Sequence, residues 1–342
     1  MYYIGLDVAS KRSYVHVIDG RGKKIESKEI PTDKDSYRQY FKPWAKKPVE
    51  VAVEAGGHSR WIYDVLTHLG IGVYVVNPNK VKLIAESKKK TDKVDAKVLA
   101  GLLRMDGLPK RVYVAEGESR ELRDLLRSRQ QLIKSVTSLM NHLRGLLRQE
   151  VIKLPAKVFR NGDIFPRLKA NKDVPDHFSS ILDCYEKVIA DLQQQQRALN
   201  DVIAGYQNKE IDLLKSVPGI GEVASKTIFA AVSTIKRFTH AKQLTSYCGL
   251  VPTVRSSGDR ADYGHITREG RSEVRSIAVQ SAHAILRSKN AESKPLRKWH
   301  ERVAKRRGFK TALVGLARKL MEIIFYVLRD RRAYDARLVH AH

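Results

Sequence analysis

Two short, nearly apolar runs constrain the fold most: residues 49–53 (Val49, Val51, Ala52, Val53 with a single Glu50) and residues 71–76. Each lies between stretches of helical periodicity, over 35–44 and 58–69. Runs of that kind suit strands covered on both faces, so the first 76 residues predict a central sheet with helices packed on each side. Tyr2, Tyr3, Ile4 and Leu6 read as a strand that ends in an acid, Asp7. A polar turn, Ser10-Lys11-Arg12, and a second β-branched and aromatic run over 14–18 make a hairpin of it, and residues 24–30 add a third strand-like run. The run at 49–53 also ends in an acid, Glu54.

From residue 116 the strand pattern stops. Apolar residues from Leu122 to Leu147 keep a helical period, and a break holding Pro155, Pro166 and Pro175 leads to a second long helix over 181–206. Two long helices separated by a loop predict an antiparallel hairpin or coiled coil. Such a hairpin can serve structurally as a dimerisation arm or spacer, and Arg120, Arg123, Arg127, Arg129, Lys134, Arg144 and Arg148 on its first helix also equip it for a nucleic acid.

The last third opens on Pro218-Gly219-Ile220-Gly221 between two helical patterns, the outline of a helix–hairpin–helix unit whose glycines let backbone amides approach a phosphate; an ordinary glycine turn is the plainer alternative. Gly249-Leu250-Val251-Pro252 leads into a polar stretch over 253–268, read as a long loop. Residues 294–310 are strongly basic, and 311–328 form a final amphipathic helix.

Charge narrows the partner. Among the 342 residues Lys and Arg number 64 against 37 Asp and Glu, a formal net charge of +27, which suits a nucleic acid better than a small neutral substrate. A membrane is the rival polyanionic surface, but the chain has no apolar run long enough to span a bilayer, and it starts on a strand pattern instead of a secretion leader. Cys184 and Cys248 stand far apart without zinc spacing, as ordinary thiols of a reducing cytosol do.

Two further acids complete a set. Thr91-Asp92-Lys93-Val94-Asp95-Ala96 opens an apolar-periodic helix with Thr91 as its N-cap, and Asp92 and Asp95, three apart, face one side of its first turn. Taken singly they could simply compensate the helix dipole. If the ends of the first and fourth strands lie side by side under that turn, four carboxylates converge. Their mutual repulsion then calls for hard divalent cations with oxygen ligands, Mg²⁺ above all and Mn²⁺ as a substitute. Two such ions about 4 Å apart can clamp the attacking and leaving oxygens of a phosphodiester.

The order Gly5-Leu6-Asp7, Val53-Glu54-Ala55-Gly56, Thr91-Asp92-Lys93-Val94-Asp95-Ala96, Pro218-Gly219-Ile220-Gly221 and Gly249-Leu250-Val251-Pro252 resembles the DEDD insertion-sequence transposases, the bridge-RNA-guided DNA recombinases, along nearly the whole chain. The resemblance implies a RuvC-like, ribonuclease-H-fold α/β domain over 1–110 (a mixed sheet with flanking helices). It places a coiled-coil helical linker over 111–209, and then a mainly α-helical transposase domain over 210–342 with the helix–hairpin–helix-like unit. It implies catalytic, metal-binding acids at Asp7, Glu54, Asp92 and Asp95. A nucleophilic serine is implied at Ser257, just before Gly258, with the adjacent Ser256 as the alternative position. Without the resemblance, Ser257 is a loop hydroxyl of the kind found in ST-turns.

The resemblance also implies RNA-guided cleavage and strand exchange between donor and target DNA through a phosphoserine, with a guide (bridge) non-coding RNA supplying sequence choice. Dimers assembling into tetramers are implied too, with the serine of one subunit meeting the acids of another, in a bacterial or archaeal cytosol near the nucleoid. A RuvC-like structure-selective endonuclease, such as a Holliday-junction resolvase, is the competing reading; it would use water and need no serine. A non-enzymatic nucleic-acid-binding protein with relic acids is a third.

Overall fold

The computed structural model describes residues 1–84, 92–152, 164–257 and 260–339, with backbone alone at 92, 93, 255–257, 260, 261 and 263. The chain divides into two compact units, Met1–Ala115 and Glu116–His342.

The first unit is built on five strands, β1 (Tyr2–Val8), β2 (Arg12–Asp19), β3 (Lys24–Pro31), β4 (Val49–Glu54) and β5 (Gly72–Val76), in the order β3-β2-β1-β4-β5. β1 pairs antiparallel with β2 and parallel with β4, and β4 pairs parallel with β5. The first three strands can meander through tight turns. The parallel pairs need crossovers, and α1 (Lys34–Phe41) and α2 (Ser59–His68) supply them. Asp33 starts α1 by accepting from the backbone N–H groups of Asp35 and Ser36, at 3.0 and 2.8 Å.

Alternation along the strands gives the sheet two apolar faces. Ile4, Leu6, Val15, Val51 and Val53 pack against Tyr37 and Phe41 of α1 and Ile62 and Leu66 of α2. On the other face Tyr3, Ala52 and Val76 meet Val81 of α3 (Pro78–Ile84) and Leu99 and Leu103 of α4 (Asp92–Arg104). Each fully buried Leu or Ile in such a core contributes about 2 kcal/mol. The sheet covered on both sides is as the apolar runs predicted.

In the second unit α5 (Gly117–Gln149), 33 residues and about 50 Å long, runs out to a tip closed by α6 (Ile164–Lys169), and α7 (Phe178–Ala204) returns. Side-chain contacts between them pair 142 with 185, 129 with 200 and 121 with 206, the descending match of an antiparallel pair. Leu143 and Leu147 meet Phe165, Leu168, Phe178 and Leu182 at the tip. Beyond the arm come α8 (Lys209–Lys215), α9 (Glu222–Val232), α10 (Ala241–Tyr247), α11 (Ser272–Arg287), α12 (Lys294–Arg307) and α13 (Phe309–Asp330). α13 is buried nearly all round, from Ala312 and Leu316 through Phe325 to Leu328, and so forms the centre of this region.

One expectation is corrected here. The stretch read as a loop after Pro252 is a two-stranded antiparallel ribbon, β6 (Pro252–Ser257) and β7 (Arg260–Ile266), with Val254 opposite Tyr263 and Ser257 opposite Arg260. Among the described side chains of the ribbon, Thr253, Val254, Asp262, Gly264 and His265 are exposed, and only Pro252 and Ile266 at its root are half-buried. Period-2 hydrophobicity, the usual mark of a strand, is therefore missing. Among the described residues no helix is long and apolar enough to cross a membrane.

Candidate active site

Asp7 and Glu54 are brought together by register. β1 and β4 run parallel with Leu6 opposite Val53, and Asp7 and Glu54 are the next residue on each strand. Both are half-buried at the same end of the two central strands. Each engages other groups, so neither is a loose surface acid.

Gly5 decides what lies above them. A Cβ at that position would stand 1.9 Å from the Ala96 carbonyl oxygen and 2.7 Å from the Ala100 nitrogen. Glycine therefore lets α4 press its backbone onto β1. Tyr3, on the same face of the strand, packs with Leu99 and Leu103 further along the helix. Going from Tyr3 to Gly5 to Asp7 thus moves back along α4 toward its first turn, where Asp92 and Asp95 stand. Asp95 is half-buried; for Asp92 the backbone alone is described, and Thr91, the expected N-cap, lies outside the described residues.

The donor set is carboxylate throughout, which fits a hard divalent cation. Among the described residues, however, no three His, Cys, Asp or Glu side chains stand close enough to hold a metal ion. Asp7, Glu54 and Asp95, the acids whose side chains are described, do not form such a group.

Ser257 belongs to the other unit. It is the last residue of β6, described by its backbone, as is Ser256; Gly258 and Asp259 lie outside the described residues. The root of its ribbon is firmly built. Gly249 has φ +67°, and a Cβ there would stand 2.5 Å from the Glu269 carbonyl oxygen. Thr267 N–H donates to the Val251 carbonyl at 2.9 Å, and Arg275 donates to the carbonyls of Cys248 (3.2 Å) and Arg268 (3.1 Å). The Gly249-Leu250-Val251-Pro252 motif is thus the seat of the serine ribbon. Gly219, at φ +80°, is held by packing too: a Cβ would meet the Ser281 carbonyl of α11 at 2.6 Å. Sequence reading missed the role of Gly5, whose only signal was its place two residues before Asp7.

Comparison with known proteins bears on both halves. A transposase family matches residues 4–152, and the transposase IS116/IS110/IS902 family matches residues 211–298. The chain is similar to the transposase for insertion sequence element IS1111A of Coxiella burnetii, 27% identical over 97% of this chain and 90% of that protein. It is also similar to a probable family 20 transposase of Pseudomonas aeruginosa, 24% identical over 97% and 98%. A third relative is the pilin gene-inverting protein of Moraxella bovis, 25% identical over 85% and 83%.

Proposed function

The chain belongs to the DEDD insertion-sequence transposases of the IS116/IS110/IS902 family, and from that premise we propose that it recombines DNA through a serine on its ribbon and four acids at one end of its central strands and the first turn of α4. Membership carries DNA transposition as the general activity and DNA as the partner. The observation that supports the chemistry most is the parallel β1–β4 register, with Asp7 and Glu54 one step beyond Leu6 and Val53 under the first turn of α4. That strand order is the one expected of a ribonuclease-H or RuvC-like domain.

In this reading Asp7, Glu54, Asp92 and Asp95 would hold Mg²⁺, with Mn²⁺ as a substitute. When bound, the cation stabilises charge on the phosphate and lowers the pKa of a coordinated hydroxyl. Ser257 Oγ attacks a DNA phosphorus, its proton passes to a carboxylate, and the bond from phosphorus to the leaving deoxyribose oxygen breaks. The phosphoserine retains the phosphodiester's bond energy, so a deoxyribose hydroxyl of a second strand can reverse the step and join the strands. Arg255 and Arg260 flank the serine in sequence and suit the phosphate's charge. A guide RNA paired to donor and target would choose the sites, and the protein would read backbone and helix shape. A homo-oligomer, dimers joining as a tetramer, would present the serine of one copy to the acids of another.

The test is covalent. Protein incubated with Mg²⁺, guide RNA and end-labelled DNA should keep label after denaturation, and Ser257→Ala should remove it while RNA binding persists. Loss in Ser256→Ala alone would move the nucleophile by one residue. If both variants still cut DNA, water is the nucleophile and the structure-selective endonuclease reading stands.

A further inference from the structure

The second unit contains a cationic groove that the proposed chemistry does not use. It has a volume of about 760 Å³ and lies among α5, α9 and α11. Arg127 and Lys134 of α5 and Arg271 before α11 line it, together with neutral donors such as Gln130 and Ser276.

Its cations are crowded. Arg123 donates to the carbonyls of Ala230 and Ala231, at 2.5 and 2.8 Å, at the C-terminal end of α9. Arg237 donates to the Val232 carbonyl at 3.0 Å, and Arg271 Nε donates to Tyr247 Oη at 2.9 Å. Burial first, and then the charge of Arg271, with smaller pushes from Arg237 and Arg127, lowers the Arg123 pKa to about 10. The negative end of the α9 dipole offsets part of this repulsion. Glu273 is the carboxylate that answers Arg127, at 3.6 Å with both side chains about half exposed, a pair of little strength. Glu222, also on the lining, is held by Lys215 and Lys226 at 2.6 and 2.5 Å.

We propose that this groove seats the phosphodiester backbone of DNA, with Arg127 and Lys134 as the phosphate contacts and Arg123 as the residue that positions α5 against α9. Arg and Lys beside Ser and Gln donors are the set that meets phosphate oxygens. Arg127 and Lys134 stand two turns apart on one face of α5, about 10 Å. That spacing suits successive phosphates along a strand better than one small anion. The inference takes its ligand class from the transposase reading, yet it concerns binding alone.

The experiment is a salt titration of the full chain on duplex DNA by fluorescence anisotropy, without Mg²⁺ or guide RNA. The slope of log affinity against log salt between about 50 and 200 mM should flatten by about one for Arg127→Gln, by about one for Lys134→Gln and by about two for the double variant. Glu273→Gln removes a repelling charge and should tighten binding several-fold. Lys187→Gln, an exposed cation elsewhere on the arm, should leave the slope as it was. An unchanged slope in the double variant, or an equal drop in Lys187→Gln, overturns the groove. Loss seen only with an RNA of the same sequence overturns the assignment to DNA. Because no strand is cut, a protein that binds through the groove yet forms no covalent adduct would sink the catalytic reading alone.

Discussion

The acids and the serine are carried by opposite kinds of β structure. Asp7 and Glu54 stand at the same end of the two strands at the centre of a five-stranded sheet, packed on both faces and pressed by a helix at van der Waals limits. Ser257 ends a strand of a two-stranded ribbon whose described side chains beyond its root are exposed, and which is secured at that root. A lone hairpin has marginal stability by itself, so the helices beneath it set its position. In the proposed mechanism, acids that share a cation would need fixed spacing, whereas a nucleophile that enters another copy's site would need reach. The two regions would divide those demands.

Gly5→Ala tests the sheet side and should have the largest effect. The added methyl overlaps the Ala96 carbonyl, so α4 must lift from β1. The first unit should lose roughly 3 kcal/mol or more in denaturant titration, and DNA joining should fall at least a hundredfold. A variant with wild-type stability would show that the sheet is no tighter than the ribbon.

The helical body of the second unit comes next. Hydrogen bonds from Lys215 first, and then Lys226, hold the Glu222 pKa down to about 2. Lys226, fully buried, also donates to the Ile203 and Ala204 carbonyls at the end of α7. A depressed carboxylate pKa contributes stability that is complete above about pH 4.5 and is lost as pH falls toward 2. Unfolding of the second unit should therefore become easier through that window, and Glu222→Gln should flatten the profile while lowering stability at pH 7. Equal acid sensitivity in the variant would mean that Glu222 does not secure the helical body.

Val254→Ala should do least. The side chain is 54% exposed on the ribbon, and the change should cost less than about 0.5 kcal/mol. A cost above about 2 kcal/mol, of the size seen for core truncations, would mean that the ribbon has a buried face after all and would erase the contrast.

Legibility followed burial. The strands at 49–54 and 72–76 and the helices α5 and α7 were readable because each buries a regular apolar face. Asp7 and Glu54 stood out as candidates because an acid at the end of an apolar strand is unusual, and here it occurs twice. The serine ribbon was not readable, since it buries too little to leave a pattern. Nor was the groove: Arg123, Arg237 and Arg271 are far apart in the chain, and their meeting at the end of α9 depends on how three helices pack. Gly5 lay in plain view, but only the approach of Ala96 gives its missing side chain a meaning.

The arm formed by α5 and α7 bears on how genes of this kind can change. Three polar ties are spread along it: His142 to Tyr185 and Arg129 to Asn200 join the two helices, and Glu121 meets Tyr206 just past the end of α7. An insertion of one residue in α5 turns everything beyond it by about 100° and carries it about 1.5 Å along the axis, which breaks every tie on the far side. Compensation requires nearly whole turns, added to both helices together, and about seven residues, two turns, nearly restore the phase. Surviving length variants of this arm should therefore come in matched steps, as a ladder gains or loses whole rungs.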